Sequence, residues 1–167
     1  MLDRIRDEFR ANVGPYEVNA KSCSTCDTRG VCCLDAHFVN VRISRLEAVA
    51  INRAIAEIRE PLRTEIHQRI EQAIERFGLD ESESEKTYAC PLYDREMGCV
   101  VHNTAKPLPC INHACYERRE DLPPDELLDL AELEIDALNR KVYGISLPLM
   151  SLPVAIKREK LTTDSHR

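Results

Sequence analysis

The chain has 167 residues, 43% of them apolar and 31% charged, a size that suits one ordinary domain and is short for two well-cored ones. Aromatic residues make up 5% and tryptophan is absent, so the core falls to Leu, Ile, Val and Ala, a composition that suits packed helices and disfavours an all-β fold. The formal net charge of -6 lacks the positive field that nonspecific nucleic-acid or anionic-membrane binding needs, so no nucleic-acid partner is expected.

In chain order, residues 1–8 are amphipathic and charged, with no signal-peptide core, and no apolar run approaches the length of a bilayer span. A cytoplasmic protein without a membrane partner is expected. The first cysteine block follows, Cys23, Cys26, Cys32 and Cys33. Ser44-Arg45-Leu46-Glu47 is then a capping box that predicts a helix from Arg45. Ile51, Ile55, Ile58 and Leu62 recur at helical spacing, and Ile66, Ile70, Ile74 and Phe77 carry the stripe to Gly78, a C-terminal stop. Pro61 removes an amide and crowds the preceding turn, which predicts a kink or two helices meeting near Glu60. Residues 80–86 read as an acidic loop.

The second block is Cys90, Cys99, Cys110 and Cys115. Pro123-Pro124-Asp125-Glu126 opens a helix over about 124–143, with Leu128, Ala131, Ile135, Leu138 and Val142 on one face and Gly144 at its end. Its other face carries Glu126, Asp129, Glu132 and Asp136, a solvated face or a docking surface for a basic partner. The tail, 145–167, holds Pro148 and Pro153 in an apolar stretch, which reads as too broken for a long helix and frayed beyond Lys157. The expected fold is a mainly α single domain, 1–167, with a small helical part packed on an irregular cysteine-rich, metal-binding lobe, the cysteine-cluster core covering about 20–117.

Eight cysteines in two blocks are the most informative feature. A reducing compartment gives them no lasting disulfide role, and a metal is the usual reason to cluster them. Cys23-x2-Cys26 lets a tight turn aim two thiolates at one tetrahedral or cluster metal. A redox dithiol uses the same spacing but wants a strand before it, which Ala20-Lys21-Ser22 does not clearly supply. The side chains of adjacent Cys32 and Cys33 diverge and do not easily share one mononuclear zinc. The pair therefore fits two nearby metal centres, a multi-iron cluster, or one ligand beside one packed thiol. Cys90-Pro91 and Gly98-Cys99 frame a short loop, and Lys106-Pro107-Leu108-Pro109-Cys110 approaches its thiol through a stiff, amide-poor segment. His102 and His113 lie within the second block, as metal ligands, thiolate donors or plain loop residues, and Asp35, Asp94 and Glu96 are nearby oxygen donors. There is no phosphate loop, GxSxG, HExxH or dinucleotide fingerprint.

Cys23-x2-Cys26-x5-Cys32-Cys33, then Cys90-Pro91-Leu92-Tyr93 with Gly98-Cys99, then Lys106-Pro107-x2-Cys110, resembles the CxxCxxxxCC, or YkgJ-like, cysteine-cluster family. The resemblance covers roughly residues 20 to 117. It implies a zinc- or iron-chelating domain with Cys23, Cys26, Cys32, Cys33, Cys90, Cys99 and Cys110 as ligands, to which proximity adds Cys115. Here the gap between Cys26 and Cys32 is one residue longer than the family name implies, His102 replaces the family's common aromatic, and Lys106-Pro107 stands where Arg-Pro is usual. The leading expectation is a cytoplasmic protein holding zinc or an iron–sulfur cluster, with a metal ion or cluster, and a protein, as its partners. The alternatives are an iron–sulfur-dependent enzyme, since larger proteins with a similar cysteine pattern include the flagellin lysine N-methylases, and a metal-stapled adaptor or maturation factor.

Overall fold

The computed structural model describes residues 1–21, 25–36, 39–80 and 86–164, without the side chains of 161–164. The protein is mainly helical, and among the described residues every strand is two residues long. The chain divides into two compact units, Met1–Arg29 with Pro107–Leu147, and Gly30–Lys106 with Pro148–Arg167. Each has its own apolar cluster.

In the first unit, α1 (Leu2–Glu17) places Ile5, Phe9 and Val13 on one stripe and buries all three. Its opposite face is laced by Arg4–Glu8 and Arg10–Asp7 ion pairs. Leu108 and Ile111 of the short helix Leu108–Asn112 close the cluster together with Ala131 and Ile135. The last two belong to the long helix Asp125–Tyr143, which opens with Asp125 and Glu126 against the positive end of its dipole and stops at Gly144, φ +77°. Leu128 and Leu138 pack at the edge of the cluster, but Val142, expected on the same face, is exposed. The strand β1 (Ala20–Lys21) runs antiparallel to Cys115–Tyr116, with Lys21 opposite Cys115. The segment before the CxxC spacing, expected to supply no clear strand, thus forms a short one, because its partner comes from residues far along the chain.

In the second unit the Ser44 capping box forms as expected, with the Ser44 hydroxyl accepting from the Glu47 amide at 3.3 Å and the Glu47 carboxylate accepting from the Ser44 amide at 2.9 Å. Two helices, Arg45–Ala56 and Leu62–Phe77, meet around Pro61, and Gly78 ends the second at φ +58°. Ile43, Ile51, Ile55 and Ile66 are wholly buried. The expected loop at 80–86 falls mostly outside the described residues.

The tail corrects the sequence reading. Met150–Ser151 pairs antiparallel with Arg42–Ile43, and Leu152–Asp164 is a helix packed on both Arg45–Ala56 and Leu62–Phe77. Pro153 sits in its first turn, where a helix has no amide bond to lose. Leu152, Val154, Ala155 and Ile156 are core residues, and buried Glu159 accepts from Arg45 Nε at 2.9 Å. Tyr88 ties this end to the middle of the chain, donating its hydroxyl to the Val41 carbonyl and accepting from the Leu152 amide at 3.2 Å. No described helix is long and apolar enough to cross a membrane.

Candidate metal centre

The described cysteines are shared between the two units. Cys32, Cys33, Cys90 and Cys99 belong to the second unit, whereas Cys26, Cys110 and Cys115 belong to the first. Cys23 lies outside the described residues.

In the second unit, Gly30 starts a single helical turn, Val31–Leu34, that carries both adjacent cysteines. Gly30 has φ +82°, and a Cβ there would lie 2.2 Å from the ring of Tyr93, so glycine is required both by the backbone and by the close approach of that ring. The turn is joined to the second block by the Cys90 amide, which donates to the Cys33 carbonyl at 2.7 Å. From there Cys90-Pro91-Leu92 leads into a hairpin, Tyr93–Asp94 against Gly98–Cys99, in which Tyr93 faces Cys99. Asp94 builds its turn, accepting from the amides of Glu96 at 2.9 Å and Met97 at 3.0 Å, which holds its carboxyl below the usual carboxylate range. That is the structural use of Asp94, expected as an oxygen donor. Gly98 closes the hairpin at φ +83°.

The result is a group of four interacting thiols. Burial pushes the Cys33 thiol up, and Cys90, Cys32 and Cys99 push it further. The helical turn Val31–Leu34 sets the two side chains about a quarter turn apart, the divergence expected of neighbours in a helix. Burial raises Cys90 to about 12, against the opposing pull of the Leu92 and Tyr93 amides on its sulfur and of the Arg69 charge. Burial likewise raises Cys99, against the Val101 amide and the charge of Lys106. Amide hydrogen bonds to a sulfur favour its thiolate over the neutral thiol, which accepts only weakly. The donor set fits a thiophilic metal, and Lys106 acts on it through charge rather than through a guanidinium fork.

In the first unit, the thiols of Cys26 and Cys115 lie close enough to Lys21 to favour its charged form, which is raised chiefly by its 2.7 Å ion pair with Glu117. Cys26 Sγ is 3.6 Å from Thr28 Oγ1. Cys110 is half-buried in the Leu108–Asn112 turn. His102 and His113 are exposed, and His102 caps the chain beyond Cys99 with its amide on the Cys99 carbonyl at 3.1 Å.

The seven described cysteines are free thiols. Among the described residues, no three Cys, His, Asp or Glu side chains are already gathered in a metal-binding arrangement. The sequence reading missed Arg69 and Gly30, which no cysteine spacing signals; the glycine before a Val-Cys-Cys run was the available clue to the turn. No family, curated protein or solved structure matches the chain.

Proposed function

We propose that this chain is a metal-binding protein, with Cys32, Cys33, Cys90 and Cys99 as the thiolates that hold zinc or an iron–sulfur cluster. The observation that carries the reading is the backbone join of the two blocks, the Cys90 amide on the Cys33 carbonyl at 2.7 Å and Tyr93 opposite Cys99, which brings Cys33, Cys90 and Cys99 within reach of one another beside Cys32. Binding would require those thiols to lose their protons, and the amides together with Lys106 and Arg69 supply the compensation that burial withholds. Cys26, Cys110 and Cys115, with Cys23 three residues before Cys26 in the sequence, are the remaining ligands of the proposal. Its membership of the YkgJ-like family, a cytoplasmic location that keeps the thiols reduced, and a protein partner that receives the metal or docks on it belong to the same reading. Nucleic acid has no place in it.

The test is anaerobic purification, followed by a visible spectrum and quantification of iron, zinc and acid-labile sulfide per chain, on the wild type and on Cys90→Ser with Cys99→Ser. Brown protein with near-equal iron and sulfide supports a cluster, and colourless protein with stoichiometric zinc supports a zinc site. Either metal should fall in the double variant. A wild type with all eight thiols titratable and no metal would overturn the reading.

A further inference from the structure

The long helix Asp125–Tyr143 buries Ala131, Ile135 and Asn139 on one side and carries a second apolar strip on the other. Leu130 and Leu133 are each 61% exposed, and Ala137, one turn further on, is exposed as well. At about 3.6 residues per turn the three lie within about 60° of one another, nearly opposite Ile135. Glu126 and Arg140 extend the strip at its two ends, so positions 126, 130, 133, 137 and 140 alternate in steps of four and three. That is the period of about 3.5 residues at which one helix offers a continuous seam to another. Scattered surface leucines are ordinary, whereas two neighbours at the middle of such a seam form a patch.

The charges bordering the strip decide what fits it. Glu126 stands at its start, Glu134 beside its middle, and Arg140 and Lys141 at its end, all exposed. Asp129 and Asp136 lie round the side of the helix, where Asp136 pairs with Arg140 at 2.7 Å and accepts from the Ser146 hydroxyl at 2.8 Å. A basic partner helix would therefore meet Arg140 and Lys141, and an acidic one Glu126 and Glu134. An antiparallel second copy meets its opposite at both ends, because a two-fold axis sets the acidic start of each helix on the basic end of the other. The two helix dipoles then run in opposite directions as well.

We propose that this face docks a second copy of the chain, the two helices antiparallel about a two-fold axis close to Leu133. Leu133 then packs on Leu133 at the axis and Leu130 on Ala137 of the other copy, while Glu126 pairs with Lys141 of the other copy, the last two contacts each occurring twice. Glu134 flanks the axis and is the like-charge contact of the pair. The helix has 19 residues, roughly 28 Å of length. A pair of such helices covers less than the about 1,200–2,000 Å² of a standard interface, which makes a weak dimer with a dissociation constant on the order of 0.1 mM. It needs neither a metal nor a thiol and stands apart from the metal reading.

Sedimentation equilibrium of the full chain under reductant, from about 10 µM to about 1 mM, reads the association directly. The mass should rise with concentration from monomer toward dimer. Leu130→Gln with Leu133→Gln, at exposed positions and with helix propensity kept, should weaken the association at least about tenfold and leave the far-ultraviolet dichroism unchanged. Glu126→Lys and Lys141→Glu should each weaken it about threefold and together restore it. Within one chain these two residues stand roughly 23 Å apart, so they meet only between antiparallel copies. Glu134→Gln should tighten the dimer, the opposite of its effect on a basic ligand. A monomer at every concentration overturns the proposal, as does association that survives the loss of both leucines, or a charge exchange that restores nothing. A monomer that binds a leucine- and lysine-rich helical peptide through the same leucines also overturns it and gives the face to a basic partner.

Discussion

Gly30→Ala tests how the adjacent cysteines are held. Alanine at φ +82° enters the left-handed region at a cost of about 1–2 kcal/mol. Its Cβ would also lie 2.2–2.3 Å from the Tyr93 ring carbons and hydroxyl oxygen, so the ring must move. Tyr93 is 9% exposed and its strand is pinned to Cys99, so displacing it is an overpacking change of about 1–3 kcal/mol. The expected total is about 2–5 kcal/mol. The two contributions separate in a double-mutant cycle: with Tyr93→Ala the ring is gone, and Gly30→Ala should then cost only its backbone share, a coupling of about 1–3 kcal/mol. Amide hydrogen exchange on the metal-free, reduced protein reports it locally, through the Cys33 and Leu34 amides that donate to the Gly30 carbonyl at 2.9 and 3.0 Å. Equal costs in the two backgrounds, or a Gly30→Ala cost below about 1 kcal/mol, would refute the reasoning.

Ile156→Ala and Leu152→Ala should each destabilise the protein by about 2–5 kcal/mol in urea unfolding, because both side chains are core; a frayed tail would give values near zero. Ser44→Ala should cost about 0.5–2 kcal/mol through loss of its cap, read by the same unfolding curve. In metal-free protein, burial raises Cys33, Cys90 and Cys99 above the ordinary 9.0, so the folded state holds protons that the unfolded state releases. Stability is therefore full below pH 9.0 and declines as the pH climbs toward the folded values, about 12 for Cys90, which denaturation midpoints on either side of that onset will show.

Local rules were legible in the sequence wherever neighbours in the chain decide the outcome. The Ser44 box, the stop at Gly78, the break at Pro61 and the helix ending at Gly144 each rest on contacts within a few residues, and each stands in the structure. The mainly α class followed for the same reason, from periodic Ile and Leu with few aromatics. The tail was misread because prolines were weighed without their position: Pro153 in a first turn permits a helix, and the partners that bury Leu152 and Ile156 lie about a hundred residues earlier.

The cysteine positions were likewise plain from the sequence, whereas the remote segments they meet were not. Spacing alone did not tell which segments pack around each cysteine. Pairings such as Lys21 with Cys115, or the Cys90 amide with the Cys33 carbonyl, depend on where distant segments cross. Arg69 is of the same kind: a polar face at helical spacing reads as solvated until tertiary packing sets one of its residues on the Tyr93 carbonyl. Sequence sets what each residue can do within its own turn of chain, and burial against remote segments, which fixes ionisation and partnership, belongs to the folded structure alone.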